Sequence, residues 1–507
     1  MIRKICLYYP PLVKNGMFPL ITQNRQFKFS ASREIRIYPL VMASLATMLD
    51  AAGYDVLFLD GINRRISLEN CEKILADFSP EFMVIETKAP LFTAHQDYIR
   101  ELASRINCRF AICGDHISCA GAKSLSAGSP FSWAVGGGYY DFIIKNLVDW
   151  LNGKINHPPP GVFYKNSDQN IIYSQDPESG AFNLDEAPLI DRDLTRWSDY
   201  GEAYLYRPAA YILSGRGCGG ANTNHQDYTS SMPGRCTFCI WQHALWRRKA
   251  VLRSPESTAD EIEILVKKYR VREIFDDNES GGIWNELWLE NFYRSLEKRR
   301  LTGKFYFSSN ARADSLTPGR IRLLQKIGCR LLKVGVESAN DSTLARIKKD
   351  ENFRAISDGI KNAKDAGIAV LMTTMVGYPW ESSAEMQHTH HEVKKLLLYK
   401  THFGDSLQSS IFTPYPGSPV YDQSLAENKI DFSLPLSAYD MDHKVLLSEI
   451  DTGRACHEMW KLHLHPLFLL RSLFAMRHAD DFLLALRGIK SLLGHLGDYR
   501  IENDRGN

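Results

Sequence analysis

The chain has 507 residues, 44% hydrophobic and 24% charged, the composition of a globular protein of about three domains, which excludes a collagen, a disordered tail and a disulfide-dense secreted module. Lys and Arg number 61 against 59 Asp and Glu, and a net charge of +2 asks for no nucleic acid or acidic partner. Pro10 and Pro11 break the short apolar N-terminus, no run of 18 apolar residues follows, and ten cysteines are too sparse for a disulfide framework; the expectation is a reducing, cytoplasmic protein with no transmembrane span.

From 1 to 153, apolar runs (KICLYY, DVLFLD, FMVIE, RFAIC, the start of AVGGG) alternate with helical stretches, which predicts βαβ units and a doubly wound, Rossmann-like parallel sheet. Such α/β sheets bind ligands at the carboxyl ends of their strands, here Tyr9-Pro10-Pro11, Asp60-Gly61, Thr87, Gly114-Asp115-His116 and Gly136-Gly137-Gly138. Residues 154–200, with a triple proline, NSDQN and QDPESG, read as a connector. From 201 to 425 strands end at SGRGC, EIFDDN, KFYFSSN, LLKVGVES, VLMTTMVGYP and SSIFTPYPG, six βα units and so a partial (β/α)6 barrel. Residues 426–507 have no strand pattern and are expected to be a helical C-terminal domain.

Cys218, Cys236 and Cys239 form C-x17-C-x2-C on the loop after the first strand of the second block. Three thiolates at one centre hold three irons of a [4Fe–4S] cluster and leave the fourth open to a ligand. The rival is a structural Cys3His zinc site with His225 or His243 as fourth ligand. Cysteine spacing alone leaves both open. The other cysteines (Cys6, Cys71, Cys108, Cys113, Cys119, Cys329, Cys456) mostly sit singly in apolar stretches, as small core residues do.

Further strand-end motifs stand in order downstream: Asp276-Asp277-Asn278, Arg312-Ala313-Asp314, Gly335-Val336-Glu337-Ser338, Gly377-Tyr378-Pro379-Trp380-Glu381 and Thr413-Pro414-Tyr415-Pro416-Gly417-Ser418-Pro419. With Arg216-Gly217-Cys218 and Cys236-Thr237-Phe238-Cys239, they resemble the radical S-adenosylmethionine (SAM) superfamily, in its branch with an N-terminal cobalamin-binding domain, over residues 1 to 425. The departure is the first cysteine gap, usually three residues in that family.

The resemblance implies that Cys218, Cys236 and Cys239 carry the cluster and that its open iron chelates SAM. It implies that Phe238 packs near the adenine, that Asp276, Asp277 and Asn278 bond the ammonium, and that Arg312 offers a fork to the carboxylate. Ser309 lies on the same strand as Arg312 and counts with the SAM residues; Glu337 accepts the ribose hydroxyls, and Gly377 lets backbone approach the nucleoside. The bland alternatives are helix caps, structural salt bridges and a turn requirement. The first block is implied to hold cobalamin on strand ends bearing Tyr9, Pro10, Thr87, Gly114, His116, Gly137 and Gly138, although the Asp-x-His-x-x-Gly signature of many cobalamin proteins is absent.

The implied activity is reductive cleavage of SAM to a 5′-deoxyadenosyl radical, followed by cobalamin-dependent methylation of an unactivated carbon in a small-molecule or lipid-like substrate. An electron donor such as flavodoxin or ferredoxin is implied too. A cobalamin-free oxidoreductase or cyclase is the alternative within the class, and a zinc-stabilised binding or regulatory protein the alternative outside it. In the last block, the leucine-rich stretch 460–496 carries Arg471, Arg477, Arg487 and Lys490 without a clean polar face, and it is expected to pack on the barrel and not on lipid.

Overall fold

The computed structural model describes residues 1–21, 27–32, 34–175, 182–219, 228–230, 236–431, 433–440, 443–447 and 451–490. The N-terminal sheet contains β1 (Lys4–Tyr9), β2 (Asp55–Asp60), β3 (Phe82–Glu86), β4 (Arg109–Cys113) and β5 (Trp133–Val135), all parallel. Across the sheet they run β2, β1, β3, β4, β5. This is a doubly wound order, and the winding reverses between β1 and β3, where such sheets open a crevice at their carboxyl ends. The apolar runs read from the sequence are buried along nearly all of β1 and β3, because helices cover both faces. Leu40–Ala51 and Tyr140–Leu151 cover one face, and Leu68–Phe78 and Phe92–Ala103 the other.

The stretch expected as a connector is not structureless. β6 (Val162–Lys165) and β7 (Ile171–Tyr173) pair antiparallel and extend the sheet beyond β5. The NSDQN segment is their turn: the Asn166 carboxamide oxygen accepts from the backbone N–H of Asp168 (3.1 Å) and Asn170 (2.9 Å). The N-terminal unit therefore runs past residue 153 to Tyr173.

The second sheet holds β8 (Ala209–Ile212), β9 (Glu273–Asp276), β10 (Tyr306–Ala311), β11 (Cys329–Glu337), β12 (Ala369–Val376) and β13 (Ser406–Ile411), parallel and in sequence order. Helices alternate with them, and most begin at a residue whose side chain accepts a first-turn N–H: Ser254, Asn285, Thr317, Asn352 and Ser382. This is the partial (β/α)6 barrel. A small antiparallel sheet not foreseen from the sequence, Gly215–Arg216, Ala250–Leu252 and Thr229–Ser230, frames the cysteine loop.

The helix Thr452–Lys461 lies against β12 and β13, and Cys456, Met459, Leu462 and Phe468 join the barrel core. Beyond Leu464 the expectation of a packed cap fails: most large apolar side chains up to Ile489 face solvent. Among the described residues no helix is long and apolar enough to cross a membrane.

The two sheets are joined by a buried ion pair. Arg216, on the cysteine loop, donates to both oxygens of Asp141 (2.9 and 2.5 Å) and to the carbonyl of Gly138 (3.0 Å), with side chains 5% and 0% exposed. Asp141→Ala would leave the guanidinium buried and unpaired, so urea unfolding is expected to show a loss of about 3–5 kcal/mol. Adding Arg216→Leu should recover much of it.

Candidate functional site

Cys218 is positioned by the segment that follows β9. The backbone N–H of Gly217 donates to the Glu279 carboxylate (2.8 Å) and that of Gly219 to the Ser280 hydroxyl (3.3 Å), so both neighbours of the cysteine are fixed. Gly217 has φ 86°, and a Cβ there would come within 2.1 Å of the Lys249 carbonyl, so no other residue fits. The pair Cys236 and Cys239 is fixed through Thr237, whose N–H donates to the Ile347 carbonyl (2.9 Å) and whose own carbonyl accepts from Val420 (3.1 Å).

None of the three cysteines is in a disulfide, and all are partly exposed. Burial pushes the Cys236 thiol up to about 12, with Cys218 and Cys239 adding to the rise and Lys349 and Arg312 opposing it. Two cations beside the thiols are what a centre needs if it must bind as thiolate. His243 turns Nε2 to the Cys236 carbonyl (3.2 Å), so that nitrogen is engaged by backbone; His225 lies outside the described residues. Among the described residues no three His, Cys, Asp or Glu side chains converge as a single-ion site requires.

The strand-end residues divide into those already engaged and those with capacity left. Asp276 is fully buried and accepts from the N–H (2.9 Å) and hydroxyl (2.6 Å) of Ser214; burial raises its pKa and these bonds oppose the rise. Asp277 accepts from the Asn310 carboxamide (3.1 Å). Asn278 takes an N–H from Ser280 on its oxygen, which leaves Nδ2 buried with no hydrogen-bond partner among the described residues. That amide N–H is a free donor among the described residues, and a carboxylate or carbonyl oxygen is the kind of group it would bond. The Ser309 hydroxyl donates to the Asn310 carbonyl (2.8 Å).

The Arg312 fork is occupied by Asp314 (3.1 and 2.7 Å) and the Lys349 carbonyl (3.1 Å). Glu337 sits at a β-bulge with φ 65°, a conformation strained for a residue with a Cβ, and its carboxylate lies 3.4 Å from the Lys349 ammonium, which is also 3.2 Å from Glu351. Gly377 (φ 87°) leaves room for Thr452, whose methyl would be 2.4 Å from a Cβ there; it admits the C-terminal helix. Phe238 packs on the barrel core. Sequence reasoning missed Glu279, Ser280, Lys349, Glu351 and the buried, unpartnered hydroxyl of Tyr378.

At the N-terminal strand ends, Glu86 accepts from both Tyr9 and Tyr140 (3.0 Å for the latter), and Thr87 bonds Nδ1 of His95 (2.9 Å). Pro10 is buried beside them. Gly114 has φ 120°, and a Cβ there would lie 2.3 Å from the Thr87 carbonyl. Nδ1 of His116 is buried without a hydrogen-bond partner among the described residues, and its ring lies 4.8 Å from that of Phe92. Gly137 donates to the Ser118 hydroxyl (2.9 Å). Trp246 fills the space over Gly138, where a Cβ would be 1.9 Å from the indole, so Gly138 serves packing of the barrel loop.

A single π-helical turn, Trp241–Leu245, thus carries the chain from the cysteine pair onto the first sheet. Trp241 donates to Asp115 (3.1 Å), which also holds Lys88 (2.6 Å), and Trp246 donates to Glu279 (2.6 Å). The cysteine loop therefore packs directly on the first sheet's strand ends.

Residues 233–393 match the sequence model of the Radical SAM superfamily. Over 397 residues the chain is 24% identical to a protein of Pyrococcus horikoshii named as an uncharacterized methyltransferase, covering 77% of this chain and 79% of that one. Over 434 residues it is 24% identical to the anaerobic magnesium-protoporphyrin IX monomethyl ester cyclase of Rubrivivax gelatinosus, covering 81% and 72%. Among solved structures it resembles the radical SAM methyltransferase TsrM of Kitasatospora setae with cobalamin and a [4Fe–4S] cluster bound (TM-score 0.68, 14% identity, 98% of this chain and 100% of that one). It also resembles the cobalamin-dependent SAM radical enzyme OxsB (TM-score 0.67, 14% identity, 97% and 72%). Residues 233–393 are therefore the radical SAM domain of an enzyme, and the chain around them has the fold of TsrM and OxsB.

Proposed function

We propose that this enzyme uses a [4Fe–4S] cluster on Cys218, Cys236 and Cys239 to cleave SAM, and cobalamin on the first sheet to methylate an unactivated carbon of a small-molecule substrate. The observation that carries the proposal is the seam: Arg216, Trp241 and Trp246 bring the cysteine loop directly onto the strand ends bearing Thr87, Asp115, His116 and Gly138. These residues would hold the two groups on adjoining segments of the chain, which would favour transfer between them. TsrM, with this fold, is described with tryptophan as substrate and a SAM analogue bound.

The residues fit these groups. Cys236, with Lys349 and Arg312 favouring its thiolate and Cys218 and Cys239 near enough to act on it, suits a cluster that binds thiolates. Nδ1 of His116, buried and unpartnered among the described residues, and the positive-φ backbone at Gly114 and Gly137 offer a polar contact and close backbone approach to a flat macrocycle. When bound, the cluster, SAM and cobalamin would supply an electron for C–S cleavage, a 5′-deoxyadenosyl radical for hydrogen abstraction and a transferable methyl group.

In this reading Asn278 donates to the SAM carboxylate, and Glu337, held by Lys349, accepts from the ribose. Phe238 packs beside the adenine. Arg312 fixes the cation field around Cys236 and does not grip SAM directly. A one-electron donor of the flavodoxin or ferredoxin class and a reducing, cytoplasmic setting complete it.

Anaerobically reconstituted protein is expected to hold about four irons per chain. Cys218→Ala, Cys236→Ala and Cys239→Ala combined should lose the iron, the visible absorbance and all SAM cleavage, while Cys71→Ala keeps them. Iron kept by the triple variant, or stoichiometric zinc in the wild type, would overturn the cluster. Glu279→Ala leaves the N–H groups of Gly217 and Trp246 without their acceptor, at about 1–3 kcal/mol each, and should lower iron retention on gel filtration more than Glu279→Gln.

Hydroxocobalamin should co-elute with the reconstituted protein. Each methylated product should then be matched by one S-adenosylhomocysteine and one 5′-deoxyadenosine. If no corrin co-elutes and 5′-deoxyadenosine forms alone, the enzyme is a cobalamin-free oxidoreductase or cyclase.

A further inference from the structure

The last described helices are amphipathic in the wrong sense for a cap. In Pro466–Ala475 only Phe468 is buried, whereas Leu467, Leu469, Leu470, Leu473 and Phe474 face solvent. In the helical residues 479–490, Asp481 and Leu484 face the protein, and Phe482, Leu483, Leu486 and Ile489 face out. Together with Leu464 these side chains are 39% to 79% exposed. Single exposed leucines are ordinary on a protein surface; ten large apolar side chains exposed within 464–489 mark an interaction site.

The charges beside this face have one sign. The only acidic residues between 464 and 490 are Asp480 and Asp481, and both are held by the barrel. Asp480 pairs bidentately with Arg272. Asp481 accepts from the Tyr206 hydroxyl and from the backbone N–H groups of Arg477 (2.7 Å) and His478 (2.9 Å), so it also starts the last helix. Arg471, Arg477 and Lys490 are exposed among the apolar residues. Arg471 donates to the Leu398 carbonyl and Arg487 to that of Leu205 (2.9 Å), contacts that fix the guanidinium groups without neutralising them.

We propose that residues 464–490 form an interfacial anchor that seats in an anionic lipid surface, with the outward leucines and phenylalanines below the headgroups and Arg471, Arg477 and Lys490 among them. No described helix can span a bilayer, so the segment lies in the interface plane. Charge chooses this occupant over a second copy of the chain. An isologous pairing of the face would bring two sets of Arg471, Arg477 and Lys490 together, and the two carboxylates within 464–490, Asp480 and Asp481, are already engaged by the barrel, whereas anionic headgroups supply the counter-charge.

The test is flotation of the reconstituted full-length protein with phosphatidylcholine vesicles, with and without phosphatidylglycerol, alongside sedimentation velocity without lipid. Binding should be to the anionic vesicles and should weaken with salt. Leu470→Glu, Leu473→Glu and Leu486→Glu combined should abolish it while iron content and circular dichroism stay unchanged, since all three side chains face solvent. Arg477→Gln and Lys490→Gln should each weaken it, by about fivefold. Wild-type protein that stays with the unbound fraction overturns the proposal. So does a dimer that the glutamate variant makes monomeric, which would make a second copy the occupant, or binding that appears only after deletion of 491–507, which would make that segment the occupant.

Discussion

The Arg216–Asp141 pair is the constraint on which the rest of the site depends. Taking a guanidinium and a carboxylate out of water is offset only by near-ideal geometry, and here two forked bonds and a third to the Gly138 carbonyl engage the fork. Asp141 stands in the first turn of Tyr140–Leu151, where the helix dipole also favours a negative charge. The residue two places before Cys218 is therefore locked to the end of β5. Trp246 can then rest on Gly138, and Glu279 can reach both Gly217 and Trp246 from the end of β9. One guanidinium and one carboxylate register two sheets and the thiol loop against each other.

Buried polar groups must be paired, and this decides which strand-end residues build walls and which can meet a ligand. Asp276 is engaged by Ser214 and Arg312 by Asp314, so both shape the barrel mouth. Nδ2 of Asn278, the Tyr378 hydroxyl and Nδ1 of His116 are buried with no partner among the described residues. An unsatisfied buried group costs about 1–3 kcal/mol, and a polar ligand removes that cost.

Much of this was legible in the sequence. Continuous apolar runs separated by helical stretches gave both parallel sheets, because βαβ strands are buried on both faces. What escaped depended on partners distant in the chain. Gly138 looks like an opening for a ligand until Trp246, over a hundred residues later, takes the space. Gly377 answers to Thr452 in the same way. Glu279 lies one residue beyond the Asp-Asp-Asn segment and shows no periodicity. β6 and β7 are four and three residues long, on either side of a polar turn, too short for alternation to register. The outward apolar face was invisible because periodicity shows that a helix has two faces and not which one meets the core.

The long gap between Cys218 and Cys236 loses its strangeness in this frame. The described part of the insertion, Tyr228 to Ser230, is tied back. Thr229–Ser230 pairs with Ala250–Leu252, the same strand that pairs with Gly215–Arg216, and Tyr228 accepts from Asn291 of the helix Glu286–Lys298 (3.0 Å). Cys218 is set by Glu279 and Ser280 from the end of β9, whereas Cys236 and Cys239 are set by Ile347 and Val420 on either side of Thr237. Among the described residues, the bonds that flank Cys218 come from the end of β9 and those that hold Thr237 come from Ile347 and Val420, so each anchor lies outside the connecting loop. Sequence distance is then free to vary, since closing a longer loop costs only about 0.6 kcal/mol per doubling of its length, provided the anchors at both ends survive.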